Sequence, residues 1–260
     1  MKFMIGVDLE GVAAVVGNPG KSLSTSNDYP FACLQGAREA DAAAKGFFDA
    51  GAEEVVIWDN HAARPNLDYD RIDPRCDLII GGSVPHRFPT LDETYAGIAL
   101  IGYHAMDTTA QAVLAHSFSS VDIQEMTING QTIGEIEVEA AVAGTFGVPL
   151  VLLSSDDKAV AATRSRMDWV QTVVTKQSLG WNACRSKHPA RVVEEIRTAA
   201  RTATENLGRM RTFAFDTPME FRIRFKRIDK AEQFACRGQP WRRVDAYTVG
   251  RTMEAITDYF

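Results

Sequence analysis

The sequence predicts an α/β fold, with a mostly parallel central sheet flanked by helices and a smaller C-terminal α+β part. Two observations carry this. Up to about residue 180, short apolar and β-branched runs alternate with stretches of helical period, the pattern of strand–helix–strand units. From about residue 212 the pattern changes to strict alternation in "MEFRIRFK", which reads as a half-exposed strand. The chain accordingly divides into residues 1–180 and 181–260.

The elements follow in order. "KFMIGVD" (Lys2–Asp8) reads as a buried strand, and a Gly/Ser/Asn-rich loop follows it. Asp28 offers an N-cap and Pro30 fits a first turn. Leu34, Ala37, Ala40, Ala44 and Phe47 then repeat at helical spacing until Gly51. "EEVVIWD", "DLIIGG" (Asp77–Gly82) and "IALIGYH" are three further strands. "IQEMTINGQTIG" is a hairpin turning at Asn129-Gly130. "EIEVEAAVAGTF" is a helix closed by Gly147, and "VPLVLLSSD" a strand after which Asp156 or Asp157 caps the next helix. "VQTVVTK" is strand-like, Pro189 begins a long helix, and "RTMEAITDYF" reads as a final helix.

Composition narrows the function classes. Of 260 residues, 45% are hydrophobic and 24% charged, ordinary globular values that support a sizeable core. The net charge of -6, with no basic block before the C-terminal third, argues against nucleic-acid binding as the main task. The four cysteines form no C-x-x-C pair, which excludes a zinc knuckle or redox motif. The apolar run at the N-terminus meets Asp8 too early for a secretory leader, and no stretch has the length of a membrane span. The expectation is a cytoplasmic protein with reduced thiols and no membrane partner.

Strand ends in open parallel sheets build binding sites. Here the first strand ends in Asp8 and Glu10, and the second in "WDNH", with Asp59 and His61. "GYH" delivers His104, the apolar run "AVLAH" delivers His116, and the helix after the hairpin opens with Glu135. Buried carboxylates without partners are costly, so a strand ending in two of them calls for pairing, protonation or a metal. Several imidazoles, several carboxylates and an open position are the needs of a hydrolytic metal site. If two metals bind, one carboxylate must bridge them, and Asp8 is the natural bridge, with Glu10 two residues on along the same face. Asp59 is placed to orient His61 from behind. His86 and His188 stand beside prolines in loops and read as surface histidines.

"VDLEG" is also similar to the Asp-x-Glu motif of proofreading exonucleases. Those enzymes need a late His-x(4–5)-Asp pair, and His188 has no such aspartate. Magnesium sites prefer oxygen ligands, whereas three histidines favour zinc.

"VDLEGVAAV", "DNHAARPN", "LIGYHA", "LAHSF", "INGQTIGEIEVEA" and "SSDDKA" occur in the order and at nearly the spacing of the DppA-type D-aminopeptidases, zinc metallopeptidases of bacterial dipeptide-transport operons. The chain resembles that family over residues 1–180 and more weakly to the end. The resemblance implies two zinc ions per subunit bridged by Asp8, with Glu10 and His61 completing one and His104 and Glu135 the other. It implies His116 as the catalytic histidine, acting as base, acid or nucleophile. It further implies release of N-terminal D-residues from short peptides or amides, and self-association into a ring-like homo-oligomer, with a decamer as type case. Residues 1–180 would then be the catalytic domain, and 181–260 would complete the subunit and its oligomer interface.

Two departures stand out. The segment between His104 and His116 is one residue longer than the family pattern. Glu139 replaces the asparagine of "GExxLNA"; four residues after Glu135 on one helix face, it reads either as pointing to the metals or substrate, or as a salt-bridged helix glutamate. The competing readings are an amidase for another small amide, a metal-dependent phosphoesterase or nuclease, and a non-catalytic zinc-binding scaffold.

Overall fold

The segment Lys2–Val7 (β1) alternates its side chains between two buried faces, Phe3, Ile5 and Val7 on one and Met4 on the other, as a strand covered on both sides must. In this computed structural model, residues 1–62, 65–84, 86–238 and 240–259 are described. The remaining elements in chain order are α1 (Tyr29–Asp49), β2 (Glu54–Asp59), β3 (Asp77–Ile79), β4 (Gly97–Ile101), β5 (Ile123–Ile128), β6 (Gln131–Thr132), α2 (Glu135–Thr145) and β7 (Leu150–Asp156). They continue with α3 (Asp157–Arg166), β8 (Gln171–Gly180), β9 (Ala183–Ser186), α4 (Pro189–Glu205), β10 (Met219–Phe225), α5 (Ile228–Ala235), β11 (Arg242–Arg243) and β12 (Thr248–Met253).

The large sheet runs β3-β2-β1-β4-β7-β8-β9, parallel except for β9. The chain winds outward from β1 to β3 on one side and from β4 to β8 on the other. The strand order therefore reverses between β1 and β4, where an open α/β sheet leaves a crevice at its carboxyl ends. One face is covered by α1 and α4 through Ala37, Ala40, Ala44, Phe47, Val192 and Ile196. A second, antiparallel sheet, β11-β12-β10-β5-β6, contributes Met126, Ile128, Phe221 and Ile223 to the core on the other face. Every residue of α2 from Glu135 to Ala143 is buried. A helix enclosed on all sides has no outer face for its carboxylates, so Glu135, Glu137 and Glu139 all need internal partners. Neither sheet is confined to one side of residue 180: β9 and α4 go with the large sheet, and β5 and β6 with the small one.

Several expectations need correction. "RTMEAITDYF" is not a helix. Its first residues belong to β12, which pairs β10 on one side and β11 on the other, and only a short 3-10 turn follows. Cross-strand pairing there overrides local helical spacing. The third strand stops at Ile79 rather than Gly82. Asp28 precedes α1 without capping it; its Oδ2 instead accepts from the Val16 and Gly17 N–H groups, pinning the loop after β1. "AVLAH" is a loop and not a strand, so His116 is held by loop contacts. His188 is exposed and caps α4, accepting from Ala190 N–H. Ala63 and Arg64 of "HAARPN", Pro85 beside His86, and Phe260 of the last segment lie outside the described residues. Among the described residues, no helix is long and apolar enough to cross a membrane.

Candidate metal centre

Asp8 and Glu10 follow β1, His61 follows β2 and His104 follows β4, so the crevice at the reversal point collects them. The β1 and β4 loops meet backbone to backbone. Gly11 N–H donates to the Gly102 carbonyl at 2.7 Å, and a Cβ on Gly11 would overlap the Tyr103 carbonyl oxygen. Gly102 has φ +74 and sits equally tightly on the Asp8 carbonyl. Only glycine allows this approach, which brings Asp8 Oδ2 within 3.3 Å of His104 Nε2. Glu135, first residue of α2, reaches the same nitrogen at 3.4 Å and accepts from Phe118 N–H at 2.5 Å. The His116 ring stacks on that of His104, centroids 3.9 Å apart, with Nε2 4.0 Å from Glu135.

The histidines share one orientation. His104 Nδ1 lies 3.1 Å from the Ala105 carbonyl and His116 Nδ1 2.7 Å from the Leu114 carbonyl. A carbonyl only accepts, so each Nδ1 carries the hydrogen and each Nε2 is left for another task. His61 Nδ1 faces Asn66 Oδ1 at 3.3 Å, while its Nε2 faces Glu10 Oε1 at 3.2 Å. The Asn66 amide is held in turn by Asp59, which also accepts from Leu67 N–H and the Tyr69 hydroxyl. Asp59 thus acts on His61 through Asn66 rather than by direct contact, and Asn66 is a participant that sequence reading missed.

The residues fit a metal. His104 Nε2 and Glu10 Oε2 are buried without a hydrogen-bond partner. Two triplets, Asp8 with Glu10 and His104, and His104 with His116 and Glu135, each bring their ligand atoms within 4.8 Å of one another. The electrostatics agree. Burial and the neighbouring Glu10 push Asp8 well above the ordinary carboxylate range. Burial opposes charge on His61 and His104, yet Glu10 and Glu135 respectively override it and raise both to about 10. Burial raises Glu135 too, but His104 outweighs it and holds that carboxyl near about 2. Without an ion, the protonated His61 and His104 rings supply beside the carboxylates the positive charge that a bound cation would bring. The cluster borders a cleft of about 230 Å³ lined also by Ser22, Asn60, Arg87 and Phe118. A larger groove of about 560 Å³ between β8 and α4 contains no such cluster.

The family model of the M55 peptidases, described as D-aminopeptidase, matches residues 1–260. The chain belongs to the D-aminopeptidase family. It is therefore a hydrolytic enzyme. A D-aminopeptidase of Bacillus subtilis (strain 168) is 28% identical over 235 residues, covering 89% of this chain and 84% of that protein. The solved structure of the Zn-dependent D-aminopeptidase DppA from Bacillus subtilis, a self-compartmentalizing protease, matches with a TM-score of 0.89 and 25% identity over 99% of this chain and 93% of that one. Against this family background, two side chains stand out. Glu139 does not line the cleft: it is wholly buried one turn along α2 and paired with Arg87. Lys176 is wholly buried under the β1 loop, where Nζ donates to the carbonyls of Glu10 at 2.5 Å, Val12 at 2.8 Å and Val15 at 2.6 Å.

Glu39 supports the same loop from α1, accepting from Ala13 N–H at 3.0 Å and from Gln35. Burial pushes its carboxyl up to about 7. The folded state thus binds a proton that the unfolded chain releases near 4.5, so stability declines as pH rises from 4.5 through 7. Glu39→Gln is expected to remove that decline, worth up to about 3 kcal/mol. Urea unfolding of both proteins across this range, compared as a difference, checks it; parallel curves would be the contrary result.

Proposed function

We propose that this chain is a zinc-dependent D-aminopeptidase that releases N-terminal residues from short peptides or amino-acid amides. One observation carries the reading: three histidines whose Nδ1 atoms are engaged behind the site turn their Nε2 atoms toward three carboxylates at an open cleft. In this reading the centre holds two zinc ions, with Asp8 shared, Glu10 and His61 completing one, and His104 and Glu135 the other. Bound zinc supplies Lewis acidity, polarising a scissile carbonyl and making water nucleophilic near neutral pH. Asn66, held by Asp59, orients His61, and the Ala105 carbonyl orients His104.

His116 handles the proton. Its Nδ1–H is tied to Leu114, so Nε2 offers a lone pair toward Glu135. Burial and the adjacent His104 lower its pKa, which keeps the ring neutral and able to accept. It takes a proton from the attacking water and returns it to the leaving amine. His116→Ala is expected to reduce kcat by about 10²–10⁴-fold while the enzyme keeps its zinc. Because His116 also belongs to one of the ligand triplets, loss of zinc in this variant would make it a ligand instead.

We further propose cytoplasmic residence and self-association into a ring-like oligomer, with a decamer as the type case, through the 181–260 region. Cys76, Cys184 and Cys236 stand as thiols, which supports the compartment. Trp181, Ile228, Val244 and Tyr247 expose apolar surface in that region, and the self-compartmentalizing character of the similar Bacillus subtilis protein supports assembly. Sedimentation well above one subunit's mass is the expected result, and a monomer would contradict it.

A further inference from the structure

His116 stands in a segment that is neither helix nor strand. Its main-chain N–H donates to the Ala105 carbonyl at 3.2 Å, which anchors the residue. The direction of the ring is then set by the Leu114 carbonyl, 2.7 Å from Nδ1. Leu114 holds a left-handed conformation, φ +52, as does Gln111, φ +53. A bulky L-residue adopts that region only at a cost, so neighbouring structure must hold it there. This is also the segment whose length departs from the family pattern.

What holds it is the hairpin of β8 and β9, which turns at Trp181 and Asn182. Leu114 N–H donates to the Trp181 carbonyl at 2.7 Å. Longer bonds flank it: Val113 N–H to Ser178 Oγ at 3.3 Å, and Trp181 Nε1–H to the Ala115 carbonyl at 3.4 Å. The three residues before His116 are thus tied to one hairpin. The Leu114 side chain is buried, with Cδ2 so close to Gly17 that a Cβ there would come within 2.7 Å of it. Leu114 is therefore a link with little room to turn. Its N–H is held by Trp181, and its carbonyl holds the imidazole. A tether serving stability alone has no reason to end on the peptide that orients His116.

We propose that Trp181 is a positioning residue for His116, fixing the ring through Leu114 so that Nε2 meets the centre beside Glu135. This rests on the aminopeptidase reading above, with His116 as its proton carrier. The bonds of Trp181 end on Leu114 and Ala115 and not on the proposed zinc ligands, so its loss acts on turnover and leaves zinc in place.

The test is a double-mutant cycle on kcat for D-alanine amide, with zinc-loaded protein. Trp181→Ala is expected to lower kcat about 10–100-fold at unchanged KM and zinc content, the scale of a slightly misplaced catalytic group. Trp181→Phe keeps the ring and loses only the indole N–H, so a smaller loss is expected. In a His116→Ala background, Trp181→Ala is expected to cost nothing further. If Trp181→Ala fails to fold, Trp181→Phe carries the same cycle. A second readout needs no turnover: in zinc-free protein, amide hydrogen exchange over residues 112–116 is expected to quicken about 3–10-fold in Trp181→Ala. Unchanged kcat, unchanged exchange, or a loss repeated in the His116→Ala background, as disassembly or zinc loss would give, overturns the assignment of Trp181. No hydrolysis by zinc-loaded wild type, with exchange behaving as expected, overturns the aminopeptidase reading instead.

Discussion

Asp8→Asn is expected to abolish hydrolysis, by on the order of 10³-fold or more, because loss of a single well-placed charge-stabilising group already costs about 10²–10³. Asp8 is the carboxylate proposed to be shared by two ions, so its loss reaches both. The variant separates function from folding. In the metal-free protein Asp8 is crowded by Glu10 and raised by burial, so asparagine of the same shape relieves repulsion. The metal-free variant is therefore expected to melt no lower than metal-free wild type while its zinc affinity and turnover collapse. Chelation of wild type is expected to reproduce the inactive state, with zinc restoring it. Activity that survives either treatment would exclude the metal mechanism. Calorimetry with and without zinc, alongside turnover, measures both halves.

Lys176→Met is expected to give the largest stability loss outside the core, about 3 kcal/mol or more. Three carbonyls of the loop after β1 accept from Nζ, and each buried acceptor left unpaired costs about 1–3 kcal/mol. Part of that cost is offset, since burial already pulls the Lys176 pKa down to about 8 and removing a buried cation recovers its desolvation. The carbonyl losses win because methionine donates nothing. Glu10 is one of the three anchored residues, so zinc affinity should fall as well. Thermal unfolding of the zinc-free and zinc-loaded variant checks both effects. An unchanged melting temperature would mean that water replaces the ammonium.

How much of this was legible in the sequence follows from locality. Asp8, Glu10, His61 and His104 stand within three residues of strands that announce themselves as apolar runs, and parallel strands gather such ends. Glu135 was legible as the first residue of a helix after an Asn-Gly hairpin. Lys176 was not. "VQTVVTK" reads correctly as strand, but the register shift between Ser155 and Asp156 turns Thr175 and Lys176 inward in succession, which no period-2 pattern announces. Arg87 was hidden for a similar reason. It stands in a loop next to a histidine, and its meaning comes from Trp58 and Glu139, which only the packed fold brings near. Of the two readings that Glu139 allowed, the structure shows the salt-bridged helix glutamate, with Arg87 as its partner.

The central claim is that five side chains from four separate segments form one two-zinc centre. Metal analysis of the purified, zinc-saturated enzyme, combined with anomalous diffraction at the zinc edge, tests it most directly. The account predicts two zinc ions per chain, Asp8 touching both, with Glu10 and His61 on one and His104 and Glu135 on the other. A single ion, or zinc bound away from Asp8, would contradict it.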